Sequence, residues 1–258
     1  MPDALLRGDR SGECVFTTLL WQGGAPPTWH LHLQRLRRDA ARVGLPVPSD
    51  DDLENRIHDA ISRLGDQRLR LRIELVADGG SHLLGPPAET VVRVVAAVAD
   101  EPTQDKAGVR LATVATSCGA GHPLAGCKRP DAMLWWARHA ARAAGADDAL
   151  LVCQRGHLVE APTAALLLAM DDGQWVVPGT ACGAVDSTTV AWLSARRPVS
   201  RRTVERTELT QVRSALLCNA VWGARSVLSI DERALAPADA ALRQSLCDAV
   251  GAFAVRVR

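Results

Sequence analysis

Lys128 stands in the run His122-Pro-Leu-Ala-Gly-Cys-Lys128-Arg-Pro-Asp131, and a lone glutamate, Glu160, follows 32 residues later in an apolar, strand-like stretch. Small residues precede the lysine, and a helical pattern begins just beyond it. A primary amine at such a junction and an isolated carboxylate are the two groups that pyridoxal phosphate chemistry asks of a protein. The amine forms a Schiff base and the acid holds the pyridinium nitrogen. Taken singly, Lys128 also reads as a surface lysine and Glu160 as a carboxylate solvated at a strand edge. If Glu160 is buried, it needs a partner.

A phosphate would have to be held as well. Asp186-Ser187-Thr188-Thr189 directly precedes Val190-Ala-Trp-Leu, a helix start whose free amides and hydroxyls suit an anion and equally suit an ordinary N-cap. Arg35 shares its helix with Arg37, Arg38 and Arg42, so it is either a guanidinium for a phosphate or part of a solvated basic face. Asn219, at the end of the apolar segment Leu216-Leu-Cys-Asn219, either caps a turn or faces a ligand. The seven histidines form no H-x-x-x-H or H-E-x-x-H pattern, and the seven cysteines no C-x-x-C. No metal site, disulfide framework or hydrolytic triad is expected.

The elements that must position these groups are legible from periodicity. Residues 14–21 are β-rich, and Leu36, Ala40 and Val43 recur at helical spacing over 30–43 before Gly44 and Pro46 stop the helix. A second helix is expected over 51–64 and strands over 69–76 and 91–98. Beyond an aperiodic Thr/Ser/Gly/His/Pro stretch near 115–125, a helix is expected over 131–144 and strands over 149–153, 157–159, 164–170 and 174–177. A helix over 188–195, strands over 214–219 and 225–230 and a helix over 237–250 complete the pattern. Gln154-Arg-Gly and Asp171-Asp-Gly supply turns.

Composition bounds the partners. At 258 residues and 47% apolar the chain has core enough for one large or two medium domains. A net charge of +1 argues against nucleic acid or a membrane surface as partner, and for a small molecule. The first ten residues carry no signal pattern and no apolar run is of membrane-spanning length, so a cytoplasmic protein is expected.

The order of these pieces resembles the class IV aminotransferases, the fold-type IV pyridoxal phosphate enzymes, and among them most the aminodeoxychorismate lyases. Cys14-Val-Phe16-Thr17-Thr18 is similar to the family's early strand, and the stretch from His32 through Arg35 to Pro46 to its first long helix and exit turn. Pro123-Leu-Ala-Gly126-Cys127-Lys128 is similar to the segment around the Schiff-base lysine, and Gly156-His-Leu-Val-Glu160 to the strand ending in the glutamate of the pyridine nitrogen. Gly183-Ala-Val-Asp-Ser187-Thr188-Thr189 resembles the phosphate-binding turn, and Cys218-Asn219-Ala220 a strand that in the lyases carries Asn followed by Ser or Ala.

The resemblance implies an α+β fold of the D-amino-acid aminotransferase kind. A small α/β N-terminal domain would occupy residues 1–116, a linker 117–125, and a larger barrel-like pyridoxal phosphate domain 126–258. It implies Lys128 as the catalytic, cofactor-bearing residue, Glu160, Arg35, Ser187, Thr188 and Thr189 as cofactor-binding, and Asn219 and Thr18 as substrate contacts. A homodimer is implied too, and the seven tryptophans are compatible with one. The implied reaction is release of pyruvate from aminodeoxychorismate to leave 4-aminobenzoate. An aminotransferase of branched-chain or D-amino acids, and a pyridoxal phosphate-binding protein without turnover, are the alternatives. Three features depart from the family: Ala164-Ala165 replaces Ser-Asn or Ala-Asn after the glutamate, Ala77-Asp78 replaces Arg-Gly, and the chain has no tyrosine.

Overall fold

The computed structural model describes residues 5–63, 68–80, 85–99, 108–116 and 121–251, so residues 117–120 of the expected linker lie outside it. The chain divides into two compact units, Met1–Asp100 with Cys127–Pro130, and Glu101–Gly126 with Asp131–Arg258.

In the first unit a short helix α1 (Arg7–Ser11) precedes β1 (Cys14–Gln22), α2 (Trp29–Arg42), α3 (Asp50–Ser62), β2 (Arg68–Asp78) and β3 (Glu89–Val98). The strands form an antiparallel sheet in the order β1-β2-β3. Alternation decides its faces. Val15, Thr17, Leu19 and Trp21 of β1 and Leu69, Leu71, Ile73 and Leu75 of β2 are all buried. Phe16 and Thr18, on the other side of the pleat, pair with Glu74 and Arg72. Leu33, Leu36 and Ala40 line the buried stripe of α2, which packs on β1, while Leu53, Ile57 and Ile61 repeat every fourth residue along α3. The helix α2 stops at Gly44 as its sequence demands: the glycine takes φ +78°, and the Leu45 N–H turns back to the Ala40 carbonyl at 3.0 Å.

The second unit holds β4 (Val109–Ala115), α4 (Ala132–Ala143), β5 (Asp148–Val152), β6 (Ala165–Met170), β7 (Trp175–Pro178), α5 (Thr188–Ser194), β8 (Ser200–Arg202), β9 (Val212–Asn219), β10 (Gly223–Ile230), β11 (Arg233–Ala234) and α6 (Ala240–Ala249). Its sheet runs β5-β4-β10-β9-β6-β7-β8, with β11 paired to β10. The sheet's two ends are joined through residues 157–160. Val152 of β5 bridges Leu158, His157 bridges Glu205 just past β8, and Leu158 N–H donates to the Val204 carbonyl at 2.8 Å. This closure gives the unit its barrel-like character. The strand expected over 157–159 is these isolated bridges.

The apolar run over 164–170 has a physical reason in this sheet. Leu166 and Leu168 join one core cluster with Leu150, Leu158 and Leu217, while Leu167 joins another with Leu216, Val190, Leu193 and Leu246. A strand buried on both faces needs apolar residues at every position.

The units differ from the expected division at 116 and 126. Val109–Ala115, assigned by sequence to the N-terminal domain, pairs in parallel with both β5 and β10 in the second unit's sheet. Cys127–Pro130 groups with the first unit instead, because Lys128 is hydrogen-bonded to Phe16 and Asp39 there.

Candidate active site

Lys128 lies beside the free edge of β1. Its carbonyl accepts the Phe16 N–H at 3.0 Å, and its own N–H donates to Asp39 Oδ2 at 2.9 Å. The ammonium Nζ sits 5.0 Å from the centroid of the Phe16 ring, on which the Arg72 guanidinium also rests at 3.5 Å. Arg72 is held in turn by Glu74, which also binds Arg93. Thr18, directly opposite Arg72 in the sheet, is on the same side of the pleat as Phe16.

On the other side of β1, α2 presents Arg35 and His32, both buried. Arg35 Nη2 donates to Thr17 Oγ1 at 2.5 Å, and the same hydroxyl lies 2.6 Å from His32 Nδ1. Burial of the imidazole, and then the charges of Arg35, Lys128 and His30, hold the His32 pKa well below the usual 6.5, so the ring is neutral at pH 7. Of the two readings open for Arg35, the solvated face is not what forms. Arg35 is 6% exposed, whereas Arg37 pairs with the exposed Asp50 and the part-exposed Arg38 with its buried neighbour Asp39. Thr17, which sequence reasoning passed over in favour of its neighbour Thr18, is the hydroxyl that meets Arg35 and His32. The only available signal was strand parity: Thr17 shares its side with Val15 and Leu19, the side that meets α2.

In the second unit, Glu160 ends the closing segment and is 8% exposed. Its Oε1 accepts the Val185 N–H at 3.1 Å, and its carboxylate lines a small recess with Val185, Ser187, Val190 and Arg201. Its charge adds to burial, the larger cause, in pushing the Cys218 thiol up to about 12. Ser187 is the N-cap of α5, its Oγ accepting the Val190 N–H at 3.3 Å. Thr188 and Thr189 are buried behind it, and Thr189 Oγ1 has no hydrogen-bond partner among the described residues. An orphaned buried hydroxyl costs about 1–3 kcal/mol, and a phosphate oxygen at this turn would satisfy it. The residues therefore fit the group: Glu160 can face a protonated ring nitrogen, and the turn at Ser187, Thr188 and Thr189 can face an anion.

Asn219 takes the turn-capping alternative. Its Oδ1 accepts the Val221 and Trp222 N–H groups at 3.0 and 3.1 Å, and its Nδ2 donates to the Thr163 carbonyl at 3.0 Å. Lys128, Arg35 and Thr18 thus belong to the first unit, and Glu160, Ser187, Thr188, Thr189 and Asn219 to the second.

Comparison with known proteins places the fold. The profile of the family described as amino-transferase class IV matches residues 14–230. A solved 4-amino-4-deoxychorismate lyase from Pseudomonas aeruginosa is 26% identical, with 96% of this chain and 94% of that one covered and a TM-score of 0.76. A fold IV-transaminase from Curtobacterium pusillum is 25% identical over 95% of this chain and 89% of that one, with a TM-score of 0.78. A hypothetical aminotransferase from Mycobacterium tuberculosis in its PLP-bound form shares the fold at 21% identity, covering 97% and 94% of the two chains with a TM-score of 0.79. No curated protein matches the chain.

Proposed function

On the premise that this chain belongs to the class IV aminotransferase family and is a pyridoxal phosphate-dependent enzyme, we propose that it is a lyase. Its substrate would be 4-amino-4-deoxychorismate and its products 4-aminobenzoate, a folate precursor, and pyruvate. The observation that carries the reading is Cys218-Asn219-Ala220, where the lyases resemble Asn followed by Ser or Ala and the aminotransferases resemble Thr- or Ser-rich sequences. Likeness to the Pseudomonas lyase over nearly the whole of both chains supports it.

Lys128 carries the cofactor on Nζ. Glu160 keeps a proton on the ring nitrogen, while Arg35, Ser187, Thr188 and Thr189 hold the phosphate. The bound cofactor supplies an electron sink conjugated to the substrate amine. Lys128 Nζ would take a proton from the substrate ring and return one to the departing enolpyruvyl group, so that the ring would become aromatic and pyruvate would leave. Thr18, beside Arg72 on the sheet, contacts the substrate. Asn219 shapes the substrate side of the second unit through its turn.

The protein is further proposed to be a cytoplasmic homodimer. Among the described residues no helix is long and apolar enough to cross a membrane, and Trp135 and Trp136 on α4 are 71% and 46% exposed, the residue type that interfaces favour. The second reading, an aminotransferase, is favoured by the likeness to the Curtobacterium transaminase.

Purified enzyme given aminodeoxychorismate alone decides between the two. The lyase releases pyruvate and 4-aminobenzoate in equal amounts without a keto-acid acceptor. Acceptor-dependent turnover of an ordinary amino acid, with no pyruvate from aminodeoxychorismate, would establish the aminotransferase instead.

A further inference from the structure

We propose that Asp39 is a positioning residue for Lys128, an inference that rests on the reading of Lys128 as the cofactor-bearing amine. The carboxylate of Asp39 is 1% exposed, and one of its oxygens is given to the main-chain N–H of Lys128 itself, at 2.9 Å. The other accepts Arg38 Nε and Nη2 at 3.1 and 2.9 Å. With the Lys128 carbonyl bound to the Phe16 N–H, both main-chain polar groups of the lysine are fixed, one by α2 and one by β1.

Burying a carboxylate is costly unless its oxygens are matched, and here the match is to the one peptide whose place governs the reacting amine. Lys128 would have to bring its Nζ to the same place in every cycle. A long flexible stem can do this accurately only from a base that stays still, since small displacements of a reacting group are expensive in rate. Asp39 also lies one helical turn beyond Arg35 on α2, so one helix sets both the lysine's main chain and the arginine assigned to the phosphate.

The alternative role, a plain ion pair with Arg38, makes different predictions for the holoenzyme. Asp39→Ala should lower kcat about tenfold or more with KM changed by no more than about twofold, and should displace the pH midpoint of the bound cofactor's visible absorbance. Asp39→Asn keeps an acceptor for the Lys128 N–H and should stay within about threefold of wild type. Arg38→Ala should lower Tm while leaving kcat within about twofold. Wild-type kcat and midpoint in Asp39→Ala, Asp39→Asn as impaired as Asp39→Ala, or Arg38→Ala as impaired in kcat as either, would each overturn the proposal. Should Asp39→Ala not fold, Asp39→Ser, too short to reach the peptide, carries the same expectation and the same refutation. Borohydride mapping of the wild type separates the two levels of failure. An adduct on Lys128 with indifferent Asp39 variants defeats only the positioning role, and no adduct there defeats the reading of Lys128.

Discussion

Lys128 has a single rival amine among the side chains, Lys106, since every other basic side chain of the lysine/arginine set is arginine. Borohydride treatment of the yellow holoenzyme is therefore expected to fix the cofactor on one tryptic peptide, the one bearing residue 128, as read by mass spectrometry. Glu160→Gln should keep the cofactor bound but lose at least about tenfold in kcat, because an amide cannot sustain a charged ring nitrogen. Undiminished turnover in that variant would place the carboxylate elsewhere. His32 gives a pH prediction. Its folded pKa is depressed, so below 6.5 the unfolded chain binds the proton first, and stability present above 6.5 is lost as pH falls. The loss steepens toward about 1.4 kcal/mol per pH unit. The ion-paired carboxylates Asp9, Glu13, Asp147 and Glu208 titrate below their ordinary 3.8–4.5 and so do not contribute to that loss between pH 6.5 and 5. Urea melts of His32→Asn should be flatter across it than wild type. At this scale the sequence disclosed residue types but not sides. Nothing in Phe16-Thr17-Thr18 says which threonine meets α2 until the buried side of β1 is known.

The elements with strong periodicity were readable to within a residue or two. α2, α3, β1 and β2 each have one apolar stripe facing one partner, and a single period then predicts both type and extent. β4 escaped notice. Val109-Arg-Leu-Ala-Thr-Val-Ala is short and only half-buried, and its identity comes from pairing with strands far away in the chain, which no local pattern carries. A strand is expected over 157–159, but these residues contribute bridges to two neighbours instead of a ladder to one. Asn219 is the case where an element explains a residue. Its side chain closes the turn from β9 to β10 with hydrogen bonds to Val221, Trp222 and Thr163. Asn219→Ala should cost about 1–3 kcal/mol of unfolding free energy, seen as a lower denaturant midpoint. A raised KM at unchanged stability would assign it to substrate directly.

At the scale of the whole molecule, light scattering should give twice the chain mass of 27.5 kDa, and a monomer mass persisting across dilution would refute the homodimer. The place of β4 has another consequence, for the order in which the chain can fold. β4 lies between β5 and β10, and the Thr113 N–H and hydroxyl reach Asp231 across a separation of 118 residues. The Lys128 peptide likewise waits on Asp39, 89 residues earlier. Neither unit is a contiguous stretch of chain, so during synthesis the first cannot be completed until residue 130 has emerged, nor the second until β10 has. Loop closure over such spans precedes its reward. Ribosome-bound chains that end within β9 should accordingly remain protease-sensitive throughout the second unit, while chains extended past β11 acquire resistance in one step.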